Sequence, residues 1–355
     1  MKAIVVRQTG GLDAMNLETV ADPTPAERDV VVQVEACGVC MHDVAVRDGT
    51  LKRGVQLPCI LGHEVSGTVV AVGDKVKRFR IGQRVATVQR YHICGACRFC
   101  RAAREPLCEE RKFLGDWGMV GGYAEYVAVE DDNVAEVPDG VPLAEASIAA
   151  CAMGTILNAV RDVGKLQMGE SVLVTGAGGG LGLHALQIAN AFGAFVVAQT
   201  SSPDKATLLK SMGAHEVVVH GRGEDFSKQV LAATQGRGVD VVIDNVGTPQ
   251  FQATRKSLAV MGRWLMIGQL SGEFVPFNPA QLFLRGQSML AVTSTTRAQL
   301  EDVLKLVQQG RIKPVIDRSF PLSQAQEAHR LVQAGAVKGR ALIRPGGHEN
   351  VAASV

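Results

Sequence analysis

The chain has 355 residues, of which 46% are hydrophobic and 20% are charged. This length accommodates two domains, and the composition is typical of a globular chain rather than a disordered one. The 37 basic and 35 acidic residues leave a formal net charge of +2 and are scattered along the sequence. This balance argues against nucleic acid or an anionic membrane as the main partner.

The first residues, MKAIVVRQTGG, do not resemble a signal peptide, because polar residues follow one short apolar run. The least polar long segment, Val141 to Val160, is interrupted by Glu145, Ser147 and Asn158. These interruptions favour a packed helix over a membrane span. We therefore expect a cytoplasmic protein whose partners include neither nucleic acid nor membrane.

Residues 1 to about 135 alternate short β-type runs with glycine and proline. The clearest runs are Val30–Val34, Thr68–Val72, Arg84–Val88 and Tyr126–Val129. Each run is apolar or alternating and is bounded by turn residues. This part of the chain is predicted to form a compact, barrel-like β domain.

Two segments of this β region, CGVCMHD (37–43) and LGHEVSG (61–67), contain candidate ligands for a catalytic zinc. Such a zinc needs three protein ligands and a vacant position, which Cys40, His63 and the later Cys151 would supply. Glu64 is a candidate transient ligand or partner of a ligand, and Asp43 is a candidate to orient His63 through its free ring nitrogen. Each residue alone has an ordinary alternative as a redox, core or structural side chain, so the prediction rests on the combination.

Four of the eight cysteines lie close together as Cys94-x2-Cys97-x2-Cys100-x7-Cys108. Four thiolates complete a tetrahedral zinc site and leave no open position, so this cluster predicts a structural zinc. Nearby arginines can offset its negative charge. Unrelated buried cysteines and an iron–sulfur cluster are weaker alternatives, the latter because the usual Cys-Pro step is missing.

From Glu170 onwards, strands and helices alternate. SVLVTGAGGGLG leads into a helix with Leu181, Ala185, Ile188 and Phe192 on one face, and four further strand-like segments follow. This alternation predicts a doubly wound parallel sheet of the Rossmann type. The remaining tail, with a helix from Arg297 to Gly310, is too short for a domain and is expected to pack on the β domain.

These motifs together resemble the zinc-type medium-chain alcohol dehydrogenase family over essentially the whole chain. GVCMHD, GHE and CAMGT (151–155) resemble the three segments that carry the ligands of its catalytic zinc, and the four-cysteine segment resembles its structural-zinc lobe. The resemblance implies an α/β protein with a GroES-like β-barrel catalytic domain (1–151 and 294–355) and a Rossmann domain (152–293). It also implies Cys40, His63 and Cys151 as zinc ligands and two zinc ions per chain.

One departure from the family concerns proton transfer. Where typical members have a serine or threonine that passes on the alcohol proton, this chain has His42, and Ala45 replaces a histidine that many members use in the relay. Histidine can also relay protons, because its pKa lies near neutrality. His42 is therefore the candidate proton carrier, although its bulk counts against a simple alcohol as the substrate.

The segment GAGGGLG is predicted to bind the pyrophosphate of a dinucleotide, because glycines permit a tight turn and close approach of backbone N–H groups. NAD enzymes usually have an acidic residue after the second strand, but this chain has Thr200 there, followed by Ser201, Ser202 and Lys205. These groups suit a 2′-phosphate, so we predict that NADPH is preferred over NADH. The same serines could instead cap a helix. The full predicted nucleotide site is Gly176, Gly178, Gly179, Gly180, Leu181, Gly182, Thr200, Ser201, Ser202, Lys205, Asn245 and Arg340.

The predicted function is hydride transfer between NAD(P)H and an alcohol or carbonyl compound as the small-molecule substrate. An alternative is NADPH-dependent reduction of an activated C=C bond, because VIDNVGTPQF and GRIKPVI resemble the quinone-reductase and acryloyl-CoA-reductase branch of the superfamily. A nucleotide-binding sensor or structural protein is an alternative outside catalysis. The resemblance also implies a homodimer or homotetramer, with Phe283–Ala291 as the candidate pairing edge or, alternatively, a buried sixth strand.

Overall fold

The computed structural model describes residues 1–221 and 223–346. The chain forms two compact units. The first contains Met1–Gly154 and the described residues from Ser294 onwards, and the second is Thr155–Thr293.

The strands, in chain order, are β1 (Lys2–Val6), β2 (Met15–Thr19), β3 (Asp29–Val39), β4 (Cys59–Ile60), β5 (Glu64–Val72), β6 (Arg84–Thr87), β7 (Arg90–His92), β8 (Lys112–Phe113), β9 (Tyr126–Glu130), β10 (Val134–Glu136), β11 (Ser171–Val174), β12 (Phe195–Thr200), β13 (Glu216–Val219), β14 (Val239–Asp244), β15 (Leu258–Met266), β16 (Ser288–Ala291), β17 (Ile316–Phe320) and β18 (Arg340–Ile343).

The α-helices are α1 (Met41–Asp48), α2 (Arg98–Arg101), α3 (Leu143–Ser147), α4 (Thr155–Leu157), α5 (Gly180–Ala191), α6 (Ala206–Ser211), α7 (Ser227–Ala233), α8 (Phe251–Ser257), α9 (Ala280–Phe283), α10 (Arg297–Gln308) and α11 (Ala325–Gln333). Two π-helical segments, Ala149–Gly154 and Asn158–Val163, flank α4. None of the helices in the described part of the chain is long and apolar enough to cross a membrane.

The first unit is built on a seven-stranded sheet in the order β10-β6-β5-β3-β18-β17, with β9 also paired to β3. The central strand β3 runs antiparallel to β5, β9 and β18. Its apolar residues are buried in a core with those of β1, β5 and β9. Because Gly38 pairs with Glu64 and Val39 pairs with Ala341, the end of β3 lies beside the start of β5 and the start of β18.

The second unit contains a six-stranded parallel sheet in the order β13-β12-β11-β14-β15-β16. The two central strands, β11 and β14, are almost completely buried, as expected for a parallel sheet covered on both faces. This is the strand order 3-2-1-4-5-6 of the Rossmann fold. The predicted α/β fold class is confirmed.

The segment Phe283–Ala291 contains the last residue of α9 and the whole of β16. β16 pairs with β15 on one side and ends the order of the sheet. It is therefore an edge strand rather than a buried one. Exposed apolar side chains of the same unit include Val260, Met261, Phe283 and Leu284.

Candidate active site

Two groups of metal-ligating side chains gather in the first unit. In each group, the ligand atoms lie within 4.8 Å of one another. One group is Cys94, Cys97, Cys100 and Cys108, and the other is Cys40, His63, Glu64 and Cys151. The two ligand sets that the sequence singles out are thus each brought together.

The four-cysteine group lies in the lobe between β7 and β8. Gly95 turns the chain with a φ of +68°, and Cys97 precedes the short helix α2. The Sγ–Sγ distances are 3.6 Å for Cys97–Cys100, 3.6 Å for Cys94–Cys108 and 4.0 Å for Cys94–Cys100. Four sulfurs at about 2.3 Å from a tetrahedral zinc lie about 3.8 Å from one another, so these thiols fit a closed zinc site.

The second group is assembled from three distant parts of the sequence. Cys40 lies between β3 and α1, His63 and Glu64 lie at the start of β5, and Cys151 lies in the π-helical segment Ala149–Gly154. π-Helical turns are rare and are often found at functional sites. At Gly38, a Cβ atom would lie 2.2 Å from Glu64 Oε2, so glycine is needed there for the Glu64 carboxylate to cross the strand.

Asp43 orients His63 in this group. Its Oδ1 lies 3.0 Å from His63 Nδ1, while its Oδ2 accepts hydrogen bonds from the Cys40 backbone N–H (2.9 Å) and the Tyr123 hydroxyl (3.2 Å). Burial alone would raise the pKa of Asp43, but the charge and hydrogen bond of His63 hold it below its usual value. With Nδ1 engaged by Asp43, the other ring nitrogen, Nε2, remains to bind a metal.

Arg340, which the sequence analysis assigns to the nucleotide site, lies beside the thiols. Its Nη2 is 2.7 Å from Glu64 Oε1 and 3.6 Å from the Sγ atoms of both Cys40 and Cys151. Burial alone would lower the pKa of Arg340, but Glu64 and the two cysteines raise it, so the guanidinium stays charged. The hydrogen bond from Cys151 and the charge of Arg340 in turn hold the pKa of Cys40 well below its usual value.

His42 lies next to the second group without belonging to it. Its Nε2 is 2.8 Å and 2.9 Å from the two carboxylate oxygens of Asp116, and its ring packs against His63 and Phe113 at centroid distances of 5.0 Å and 4.9 Å. Burial lowers the pKa of His42, but the hydrogen bond to Asp116 together with the negative charges of Asp116 and Asp43 outweighs this effect, so the pKa is raised. Asp116 was not predicted as a site residue, because it lies in an irregular loop with no distinguishing sequence pattern.

The glycine-rich segment forms the turn between β11 and α5 in the second unit. Gly176 adopts a φ of +58°, Gly179 is the N-cap of α5, and Gly180, Leu181 and Gly182 form its first turn. At Gly182, a Cβ atom would lie 2.5 Å from backbone atoms of Gly176 and Ala177, so the helix packs directly on the turn. Backbone N–H groups at a helix N-terminus of this kind form an anion-binding site.

Two of the remaining nucleotide candidates of the second unit, Asn245 and Lys205, lie close to this turn. Asn245 Nδ2 donates to Thr175 O (2.9 Å), and Lys205 Nζ lies 3.4 Å from Gly178 O. Thr200 ends β12, and its Oγ1 accepts a hydrogen bond from Ser202 N (3.1 Å). Gln199, which was not predicted as a site residue, anchors the turn, because its Oε1 accepts a hydrogen bond from Gly176 N at 2.9 Å.

Comparison with known proteins places both units in one family. Residues 26–139 match the alcohol dehydrogenase GroES-like domain, and residues 212–343 match the zinc-binding dehydrogenase family. An acryloyl-coenzyme A reductase from Sulfurisphaera tokodaii is 34% identical over 97% of this chain and 100% of its own length. An NAD-dependent alcohol dehydrogenase from Sulfolobus acidocaldarius is 31% identical over 97% of this chain and 99% of its own length.

A crystal structure of a protein named AibC is 39% identical, with a TM-score of 0.89 and coverage of 97% of this chain and 95% of that protein. The relatives therefore match along nearly the whole sequence rather than in one unit. Both the resemblance and the enzymatic function predicted from the sequence are confirmed. The chain belongs to the zinc-type medium-chain alcohol dehydrogenase family, whose members are oxidoreductases that use zinc and NAD(P).

Proposed function

We propose that the first unit is the catalytic domain, with zinc bound by Cys40, His63 and Cys151, and that the second unit binds NADPH. This proposal rests on the second ligand group, in which two thiols and an imidazole nitrogen oriented by Asp43 converge. The ion pair with Arg340 engages Glu64, which leaves three ligands and one open position. That donor set fits a catalytic rather than a structural zinc.

The reaction is hydride transfer between the nicotinamide and the carbon of an alcohol or carbonyl substrate. Zinc, when bound, supplies a Lewis acid that polarises the substrate oxygen. Asp43 orients His63, and Arg340 neutralises Glu64. His42, held by Asp116 beside His63 and partly exposed, carries the proton to or from the substrate.

Replacing Cys40 tests this proposal. The Cys40→Ala variant should lose turnover and one zinc ion per chain but still bind NADPH, because the nucleotide turn lies in the second unit. Cys59→Ala is the matched control, since burial raises the pKa of the Cys59 thiol to about 12 and keeps it neutral in the core. Turnover by Cys40→Ala at the wild-type rate would refute the zinc-based mechanism.

A second candidate function is reduction of an activated C=C bond. It is favoured by the His42–Asp116 pair, which replaces the hydroxyl relay of alcohol dehydrogenases, and by the 34% identical relative named acryloyl-CoA reductase. NADPH oxidation measured against a panel of aldehydes, enones and acryloyl-CoA separates the two candidates. Turnover of the aldehydes alone would support the alcohol or carbonyl reaction. Turnover of acryloyl-CoA and the enones alone would support reduction of the C=C bond.

The preference for NADPH rests on Thr200, where NAD enzymes have an acidic side chain, and on the neighbouring Ser201, Ser202 and Lys205. A carboxylate at residue 200 would repel a 2′-phosphate, so Thr200→Asp should shift the preference towards NADH. The ratio of kcat/KM for the two cofactors measures the shift. A wild-type ratio in favour of NADH would refute this part of the proposal.

We propose a second copy of this chain as a partner at the edge strand β16. An unpaired edge strand can extend its sheet across an interface. Apolar side chains are exposed on the paired strand β15, at Met261 (71%), and just before β16, at Phe283 (68%) and Leu284 (78%). Light scattering should give a dimer or tetramer, and Leu284→Glu should weaken it. The cytoplasmic location remains a prediction.

A further inference from the structure

A chain of buried hydrogen bonds leads from His63 to the helix α11. His63 Nδ1 is 3.0 Å from Asp43, the Tyr123 hydroxyl donates to Asp43 at 3.2 Å, and His329 Nε2 lies 3.1 Å from the Tyr123 oxygen. Each of these four side chains is at most 1% exposed. His329 lies on α11, more than 260 residues after His63 in the sequence, so the fold has brought a distant helix to the rear of the ligand group.

The direction of each hydrogen bond follows from the chemistry of the groups. An ionised carboxylate can only accept, so Asp43 takes protons from the Cys40 backbone N–H, the Tyr123 hydroxyl and His63 Nδ1. The Tyr123 hydroxyl has one proton, which it gives to Asp43, so its oxygen accepts from His329 Nε2–H. Burial lowers the pKa of His329 to about 4 and keeps this ring neutral.

Three donors thus fix the Asp43 carboxylate, and each restricts its rotation. If the Tyr123 hydroxyl is removed, Asp43 keeps two donors but loses the one that holds Oδ2 from the side of α11. The carboxylate can then tilt, and the hydrogen bond that selects the His63 tautomer weakens. A less well-oriented imidazole is a poorer metal ligand.

We propose that Tyr123 and His329 are positioning residues for the Cys40–His63–Cys151 metal site, acting through Asp43 on the tautomer and orientation of His63. This inference rests on the proposed function, because it assumes that these three residues bind zinc. It assigns a role to one side chain that hydrogen-bonds to Asp43, Tyr123, and to one that hydrogen-bonds to Tyr123, His329. Tyr123 transmits the constraint, and His329 holds the Tyr123 oxygen in place.

The test compares zinc retention in Tyr123→Phe with that in the wild-type holoenzyme. Zinc release to a chromophoric chelator reports both sites in one molecule, with the four-cysteine site as the internal reference. Loss of a direct partner of a ligand costs about 10–100-fold in metal affinity, so Asp43→Asn should show a loss of that size. Tyr123 acts one hydrogen bond further away, and we expect a loss of about three- to tenfold, with the four-cysteine site unchanged.

A double variant separates positioning from a general loss of stability. Tyr123→Phe leaves the His329 Nε2–H without its acceptor, which is itself destabilising. Adding His329→Leu removes that unpaired donor, so Tm should recover while zinc affinity stays low. Tyr126→Phe, which removes a hydroxyl on β9, is the matched control and should match the wild type in both measurements.

The outcomes are distinguishable. If the wild type binds zinc only at the four cysteines, the proposed function fails. If the wild type binds two zinc ions and Tyr123→Phe releases the second as slowly as the wild type, the inference on positioning is overturned. Recovery of zinc affinity together with Tm in the double variant would also overturn it, because the effect would then be structural. If Tyr123→Phe alone does not fold, zinc release from the double variant is compared with release from the wild type and from Asp43→Asn instead.

Discussion

Replacing Gly182 with alanine tests how closely α5 packs on the nucleotide turn. A Cβ at this position would lie 2.5 Å from Ala177 Cα, Ala177 O and Gly176 O. Carbon atoms in contact are about 3.5 Å apart, so the helix would have to move by about 1 Å. All three neighbours are backbone atoms of the turn, so no flexible side chain can yield. Overpacking of this kind costs about 1–3 kcal/mol.

Gly179→Ala is the matched comparison. Its Cβ would have one neighbour, Gly176 O at 3.5 Å, which is an ordinary contact, and its φ of −91° suits any residue. The second unit should therefore keep its stability to within about 1 kcal/mol, the usual cost of placing alanine at an N-cap. Only Gly182→Ala is expected to move the helix away from the turn.

Two measurements check this expectation. Trp264 is buried in the second unit, and the only other tryptophan is Trp117 in the first, so in a Trp117→Phe background the fluorescence reports unfolding of the second unit. Gly182→Ala should lower its free energy of unfolding by about 1–3 kcal/mol. It should also weaken NADPH binding about tenfold, because the N–H groups that face the pyrophosphate move with the helix. Wild-type stability and NADPH affinity in Gly182→Ala would refute the argument.

Three further predictions concern the first unit. Arg340→Met should lower the free energy of unfolding, measured by urea titration, by about 3–5 kcal/mol, because it leaves the buried Glu64 carboxylate unpaired. Adding Glu64→Gln should recover most of this loss. The folded-state pKa of His329, about 4, lies below that of an unfolded histidine, about 6.5, so its contribution to stability is complete above pH 6.5 and is lost as the pH falls towards 4. His329→Leu should therefore show a flatter decline of stability over this range, and an unchanged slope would contradict the buried neutral state. Cys100→Ser should reduce zinc from two ions per chain to one and lower Tm in calorimetry, whereas two retained ions would exclude a four-cysteine site.

Local patterns were sufficient to predict much of the fold. In the second unit, the strands β11 and β14 are short apolar runs bounded by turns, and parallel sheets buried on both faces produce such runs. The four-cysteine lobe was equally accessible, because its ligands lie within 15 consecutive residues and one loop brings them together. Boundaries were less accurate: β15 begins at Leu258, before the predicted segment GRWLMIG, because pairing with β14 extends the strand.

The side chains that support the second ligand group could not be predicted in the same way. Asp116 contacts His42 across 74 positions, Tyr123 contacts Asp43 across 80, and Arg340 contacts Glu64 across 276. No local periodicity encodes such contacts, because they depend on which strands are neighbours in the sheet. The pairing of β18 with β3, which places Arg340 beside Glu64, is likewise visible only in the structure.

The buried charges of the second group show why these distant residues are needed. Two thiolates would balance a divalent metal bound there, and Arg340 pairs with the Glu64 carboxylate at 2.7 Å. The Asp43 carboxylate is stabilised by His63 and by two further hydrogen-bond donors, the Cys40 backbone N–H and the Tyr123 hydroxyl. An unpaired charge in the protein interior is costly, so each of these groups needs its partner if His63 and the thiols are to stay in place. The ligands that the sequence reveals can therefore act as a metal site only with partners that the fold supplies.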